Sequence, residues 1–295
     1  MCLLSRPPLP ESTVSRQWAV EQPPSGARYG PVSSLSPNFL LLTRVGFAAR
    51  GLLYLIVGYL ALKLGRAEDA GGAMDFIADE AGGLMLGALA LGFVAYGVWR
   101  LADSAFDTQN KGKDAKGIVG RGAGAVSGFI HLGFAFTAAK LALGSGSGGD
   151  SSDKAESGAA AAMSLPGGDL ILYLSALILA VAGAAQLGIA VRRSFCKHLA
   201  AEARNRWWVI AAGLAGHAAR GAIFLTAAWL LFNSARHHAA QEAGALGDAL
   251  TSLPDSLRAA VAAGLCLFGV YSLIEARYRI IPDPHVKSRV ADGLT

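Results

Sequence analysis

Charge is what this sequence has least of. Asp, Glu, Lys and Arg make up 16% of its 295 residues against 53% hydrophobic residues, and the mean hydropathy is +0.41. A soluble domain carries about 25% charged residues, so this chain has too few ions to cover a soluble surface. Cysteine is nearly missing: Cys2, Cys196 and Cys266 are scattered and odd in number, which argues against a disulfide framework or a metal-ligand spacing. Cys266 lies in an apolar run and reads as a small core residue. Proline is scarce beyond the first 38 residues, where Pro7, Pro8, Pro10, Pro23, Pro24, Pro31 and Pro37 are found. That segment has no apolar stretch of the length a secretory signal needs. It is expected to be a disordered, proline-rich tail over residues 1–42. Glycine is abundant at 37 residues, without the every-third-residue period of collagen. Purely soluble, fibrous and disordered classes are excluded, and an integral membrane protein remains.

A membrane-spanning helix needs about 20 mostly apolar residues. Six segments qualify: Thr43–Leu64, Gly82–Leu101, Gly122–Leu143, Leu170–Val191, Trp208–Phe232 and Leu257–Leu273. One of them alone would fit a soluble core. Six in a row leave too little polar sequence to cover them all.

The charges that exist are sorted by connection. Basic residues collect before the first segment (Arg6, Arg16, Arg28, Arg44), after the second (Arg100, Lys111, Lys113, Lys116, Arg121), after the fourth (Arg192, Arg193, Lys197, Arg204, Arg206) and at the end (Arg277, Arg279, Lys287, Arg289). The three intervening connections carry acids instead, among them Asp69, Asp75, Asp79, Asp150, Glu156, Glu242 and Asp248. Basic connections stay on the cytoplasmic side, so both termini are expected to be cytoplasmic.

The chain also repeats internally. Ala49-Arg50-Gly51-Leu-Leu-Tyr54 returns as Ala219-Arg220-Gly221-Ala-Ile-Phe224, with Val126-Ser127-Gly128-Phe-Ile-His131 between them. Gly92-Phe-Val-Ala-Tyr96-Gly97-Val-Trp99 is echoed by Gly264-Leu-Cys-Leu-Phe268-Gly269-Val-Tyr271, after which Asp103 matches Glu275. The repeat unit is a two-helix hairpin, present three times. A two-helix unit re-enters the membrane in the same orientation, so the copies are parallel repeats. The expected fold is all-α and polytopic, six transmembrane helices arranged as three helical hairpins around a pseudo-threefold axis. The hairpins are placed at residues 43–107, 121–195 and 208–279, followed by a cytoplasmic tail at 280–295.

The motif Ala49-Arg50-Gly51-x-x-Tyr54-x-x-x-Gly58, with the ending Tyr271-Ser-Leu-Ile-Glu275-Ala-Arg277-Tyr278-Arg279, resembles the bacterial membrane family called domain of unknown function 1206. The resemblance covers about residues 43–279. It implies three tandem two-helix repeats and a bacterial inner-membrane location, and no activity. This chain departs from the pattern at Ser127, which stands where the other repeats have arginine.

An arginine at membrane depth is costly and normally pairs or snorkels. Counting along the helices places Asp103 at the level of Arg50 and Glu275 at that of Arg220, so an ion pair is expected within the first hairpin and another within the third. The middle repeat lacks both partners, having Ser127 for the arginine and Arg192-Arg193 where the others put an acid. The other intramembrane polar candidates are His131, Gln186 and His217. A lone histidine or glutamine on an apolar face usually bonds between helices, although histidine also relays protons or ligates metal. No carboxylate or cysteine stands at ligand spacing beside either histidine, so neither a metal nor another cofactor is expected. Gly120, Gly124 and Gly128 recur every fourth residue, a spacing that lets helices approach closely. The basic stretch Phe195–Trp208 reads as a surface helix on the inner leaflet.

No pair of intramembrane acids and no nucleophile beside a base is present, so no catalytic constellation is found and enzymatic activity is not expected. The first functional expectation is a structural or interaction protein of the cell membrane. Its partners would be the lipid bilayer, a membrane or cytoplasmic protein, or a second copy of the chain, with no nucleic acid. The second is a small-solute or ion transporter using the axis between the repeats; a pathway needs polar lining, and the candidates for it are few.

Overall fold

A computed structural model describes residues 37–63, 68–109, 111–146, 151–244 and 246–280. Among them every regular element is helical. The order is α1 (Pro37–Lys63), α2 (Ala70–Phe106), α3 (Ala115–Ala142), α4 (Ser151–Met163), α5 (Gly168–Arg192), α6 (Ala201–Arg204), α7 (Trp207–His237), α8 (Leu246–Thr251) and α9 (Asp255–Tyr278). By length and composition α1, α2, α3, α5, α7 and α9 can each cross a membrane. The tail expected over residues 1–42 lies outside the described residues up to position 36; from Pro37 onward the chain is already α1.

Local chemistry sets the helix boundaries. Asp69 caps α2, accepting hydrogen bonds from the Gly71 and Gly72 amides at 2.6 and 3.2 Å, and Asp114 caps α3 through the Gly117 amide at 3.1 Å. Such caps satisfy the orphan donors of a first turn. Inside α2 the helix breaks at Gly82, where φ is +72°, a conformation only glycine adopts cheaply. The break divides α2 into a spanning part and a short preceding helix. That short helix buries Ala73, Met74 and Ile77 in the main core, together with Ala249 and Leu250 of α8. With α4, each hairpin therefore has a short helix between its two long ones, at the end of the bundle that carries the acidic connections. These segments read from charge as connections; their helicity was hidden because they are short and acidic.

The helices are packed in the order α5, α7, α9, α1, α2, α3. Three of these contacts join different hairpins, and each has the same construction. Gly51 of α1 meets Gly269 of α9, Gly97 of α2 meets Gly128 of α3, and Gly183 of α5 meets Gly221 of α7. A Cβ built on any one of them would lie 2.8 to 3.1 Å from the carbonyl oxygen of its partner. The backbones touch, as small residues permit. We call these contacts the glycine seams.

The seams set a register for comparing the repeats. Within hairpins one and three, Gly92 abuts Ala49 and Gly264 abuts Ala219 in the same manner, while Gly46 and Gly216 lie against the backbones of Tyr96 and Phe268. Carried to the middle hairpin, the register puts Ile178 at the Gly92 position, Val126 at the Ala49 position and Ala123 at the Gly46 position. Two branched side chains stand where the close approach needs glycine and alanine. Correspondingly, among the described residues α3 and α5 do not pack along one another, and Val126 and Ile178 are 57% and 66% exposed. The seams repeat, but the ring is not closed between α3 and α5, and the packing does not establish a threefold arrangement.

The connection between α5 and α7 also differs from expectation. Instead of a surface helix it forms a 3₁₀ turn, Ser194–His198, and the single turn α6. Phe195, Leu199 and Ala203 are buried against Val209, Phe268, Tyr271 and Ile274. The Ala200 amide donates to the Tyr278 carbonyl at 2.8 Å, and the Ile280 amide to that of His198 at 2.8 Å. The apolar side chains in this basic stretch pull it onto the end of α9.

Candidate functional site

The polar residues of the interior gather near the end of the bundle that carries the basic connections. Arg50 lies one residue before its seam glycine and is 8% exposed. Each of its three guanidinium nitrogens is engaged. Nε donates to Ser272 Oγ at 3.2 Å, Nη1 to the Tyr96 hydroxyl at 2.6 Å and Nη2 to Glu275 Oε2 at 2.5 Å. Its carbon also lies 4.8 Å from the Phe47 ring centroid and 5.1 Å from that of Phe268. Glu275, 5% exposed, accepts a second charged bond from Arg279. Arg279 in turn stands over the rings of Phe47 and Trp99 at 4.9 and 5.4 Å. A buried carboxylate is thus held between two guanidinium groups, the arrangement that keeps charge affordable away from water.

This corrects both expected pairs. Arg50 does not bond to Asp103 within its hairpin; it bonds to Glu275 across the α1–α9 seam. The reason is positional. Glu275 lies six residues after Gly269, the glycine that Gly51 meets, so arginine and acid face one seam. Asp103 has the same place after Gly97, whose seam partner is α3, and there the arginine position holds Ser127. Asp103 is fully buried and is served from its own side: Lys111 Nζ approaches at 2.6 Å, Thr108 Oγ1 donates at 2.7 Å, the Gln109 amide at 3.1 Å, and Arg100 stands at 3.6 Å.

Arg220 does not bond to Glu275. Its seam partner is α5, where the sixth residue after Gly183 is Ile189. The acid position of the middle repeat is therefore Ile189, not Arg192-Arg193. The other two bonds of the Arg50 site are replaced as well, Ser272 by Gln186 and Tyr96 by Phe268. Among the described residues Arg220 has no ion pair, and its buried Nε has no hydrogen-bond partner. It rests on aromatic faces instead, 4.6 Å from the Phe268 centroid, 5.1 Å from Phe224 and 5.4 Å from Tyr54.

The remaining candidates sort by neighbour. His217 and Gln186, singled out separately by sequence, are brought together: His217 Nδ1 lies 2.7 Å from Gln186 Oε1. With Nδ1 donating, the lone pair of a neutral ring is on Nε2, which is buried and unbonded. His217 stacks on Phe195 at 5.4 Å. His131 Nδ1 bonds the Ser127 carbonyl at 2.7 Å, and its ring packs on Tyr96 at 4.4 Å. Among the described residues no three His, Cys, Asp or Glu side chains are grouped to hold a metal. Sequence reasoning missed Tyr96, Ser272, Arg279 and Lys111. The first could have been found, since a hydroxyl is what separates Tyr96 from Phe268 in otherwise matching repeats.

At the opposite end a cleft of about 390 Å³ is lined by Glu156, Asn233, Gln241, Glu242 and Asp248 among others. Nearby, His237 Nδ1 lies 2.8 Å from Glu242.

The fold and this buried charge cluster define a polytopic α-helical membrane protein made of three related hairpins. The family model described as Domain of Unknown Function (DUF1206) matches residues 45–107, 123–193 and 215–279, and the chain belongs to that family. No curated protein and no solved structure matches it.

Proposed function

We propose that the protein is a structural or interaction protein of a bacterial inner membrane, oriented with its basic connections and both termini in the cytoplasm and without enzymatic activity of its own. The observation that carries this reading is the use made of the interior polar groups. Arg50, Tyr96, Ser272, Glu275 and Arg279 are consumed by one another and His217 Nδ1 by Gln186, so little beyond Arg220 and His217 Nε2 remains to line a conduit. What stays unmatched are the apolar flanks of α3 and α5, suited to another helix or another copy. Cross-linking from cysteines placed at Val126 and Ile178 tests this. Capture of a second copy or of a defined membrane protein is the expected result. Solute flux through proteoliposomes with no cross-linked species would overturn it. Orientation is checked by reporters fused after Lys113 and after Asp75, expected inside and outside respectively.

The transporter reading draws support from one observation, the polar cleft at the acidic end. It requires that changing Asn233 or Glu242 alter solute uptake.

A further inference from the structure

We propose that Arg220 and His217 form a binding site for the headgroup oxyanion of an anionic lipid, which enters through the side of the bundle between α3 and α5. The Arg50 site supplies the template. There an arginine one residue before a seam glycine is neutralised by a carboxylate six residues after the opposing glycine. Arg220 has the same place in its own seam, and the carboxylate position holds Ile189, a partly buried apolar residue. Ser272 and Tyr96, the two neutral acceptors of the template, are likewise replaced by Gln186, whose Oε1 is engaged with His217, and by Phe268.

Arginine cannot shed its proton in a protein, and a charge this deep is retained when it has a counter-charge. The cluster has none to spare among the described residues. Glu275 is shared by Arg50 and Arg279, and Asp103 by Lys111 and Arg100. An oxyanion beside Arg220 would occupy the place that the Glu275 carboxylate has beside Arg50. His217, one helical turn away on the same face, has an unbonded buried Nε2, which donates from a neutral ring when the Gln186 amide turns its NH2 group toward Nδ1. Aromatic faces on three sides hold the guanidinium in position.

The choice of a lipid over a dissolved anion follows from the opening. Its edges are α3 and α5, which do not pack along one another and which expose Val126 and Ile178. An acyl chain matches such a lining, and a hydrated ion does not.

The test is native mass spectrometry of the purified full chain with phosphatidylglycerol, phosphatidylcholine or inorganic phosphate added. Wild-type protein is expected to retain one phosphatidylglycerol in preference to phosphatidylcholine and to be indifferent to phosphate. Ile189→Glu supplies the missing carboxylate and should weaken phosphatidylglycerol retention about tenfold or more, as loss of a charge-assisted contact does, with thermal stability equal to or above wild type. Arg220→Gln should lose it equally. His217→Phe, which installs the residue that the first hairpin has at Phe47, should lose part. Full retention by Ile189→Glu, equal retention of phosphatidylcholine, or displacement by inorganic phosphate would each overturn the proposal. Since the lipid preference is read on wild-type protein, a variant that fails to fold leaves the test decisive.

Discussion

Arg50 and Arg220 hold the same position in two copies of one repeat, yet their surroundings are opposite. Arg50 is wrapped by a hydroxyl, a phenol and a carboxylate. Arg220 is wrapped by rings. Neither residue changed; the acid and the hydroxyl across the seam did, and within the hairpin Phe268 stands for Tyr96. Pairing in this protein therefore belongs to the seam between hairpins and not to the hairpin itself. A seam shared with the middle repeat inherits that repeat's losses, which is why Asp103 has had to recruit Lys111 from its own connection.

The largest way to break the contrast is to make the first site resemble the second. Glu275→Gln leaves Arg50 and Arg279 without their anion and should cost about 3–5 kcal/mol, as breaking a buried pair does. Thermal unfolding in detergent measures this, and a loss no greater than that of Arg220→Gln would mean the triad contributes nothing special. A smaller change separates the sites by geometry. Arg50→Lys forfeits a forked set of bonds and should cost about 1–2 kcal/mol. Arg220→Lys, which has no fork to lose and keeps its contact with the rings, should cost less than about 0.5 kcal/mol. Equal costs would deny the difference between the two surroundings.

The smallest effect is expected beside the α2–α3 seam. Asp107 ends α2 and accepts the Lys111 and Gly112 amides at 2.7 and 2.9 Å, which positions the Lys111 that serves Asp103. Burial pulls its carboxyl upward, but the two backbone donors, aided by Arg121, outweigh it and hold the group below the usual carboxylate range. Its contribution is thus complete above the ordinary aspartate pKa of about 4 and fades as pH falls through the lowered value. Asp107→Asn should lower stability slightly at neutral pH and leave the acid end nearly unchanged, which flattens the acid limb of the stability profile.

Much of this is legible in the amino-acid sequence. The six apolar helices, the three hairpins and the start of the second span at Gly82 follow from hydropathy and repetition. So does the depth of Arg50, which lies at the level of the acidic residues on the even-numbered spans. Hydropathy reports how far along the membrane normal a residue sits; it is silent on azimuth. Arg50 was thus placed at the right height with the wrong neighbour, and Glu275 was assigned to Arg220 for the same reason. The middle acid position was misread at Arg192-Arg193 because its register depends on Gly183, and nothing in the linear chain marks Gly183 above the other glycines of α5. The 194–206 connection was misread because Lys197, Arg204 and Arg206 dominate its pattern, although Phe195 and Leu199 decide its packing.

The glycine seams have one further consequence. At every seam each glycine meets the opposing glycine and a leucine four residues beyond it (Leu273 and Leu55, Leu132 and Leu101, Leu225 and Leu187), so the three seams are built of the same residues and a seam has no means of telling one hairpin from another. Gly51 would accept Gly97 or Gly183 as readily as Gly269. Correct assembly then falls to the tethers between hairpins and to the few polar groups that distinguish them. Lengthening a tether should let hairpins be exchanged between two chains, so that the protein's order is written in its connections more than in its interfaces.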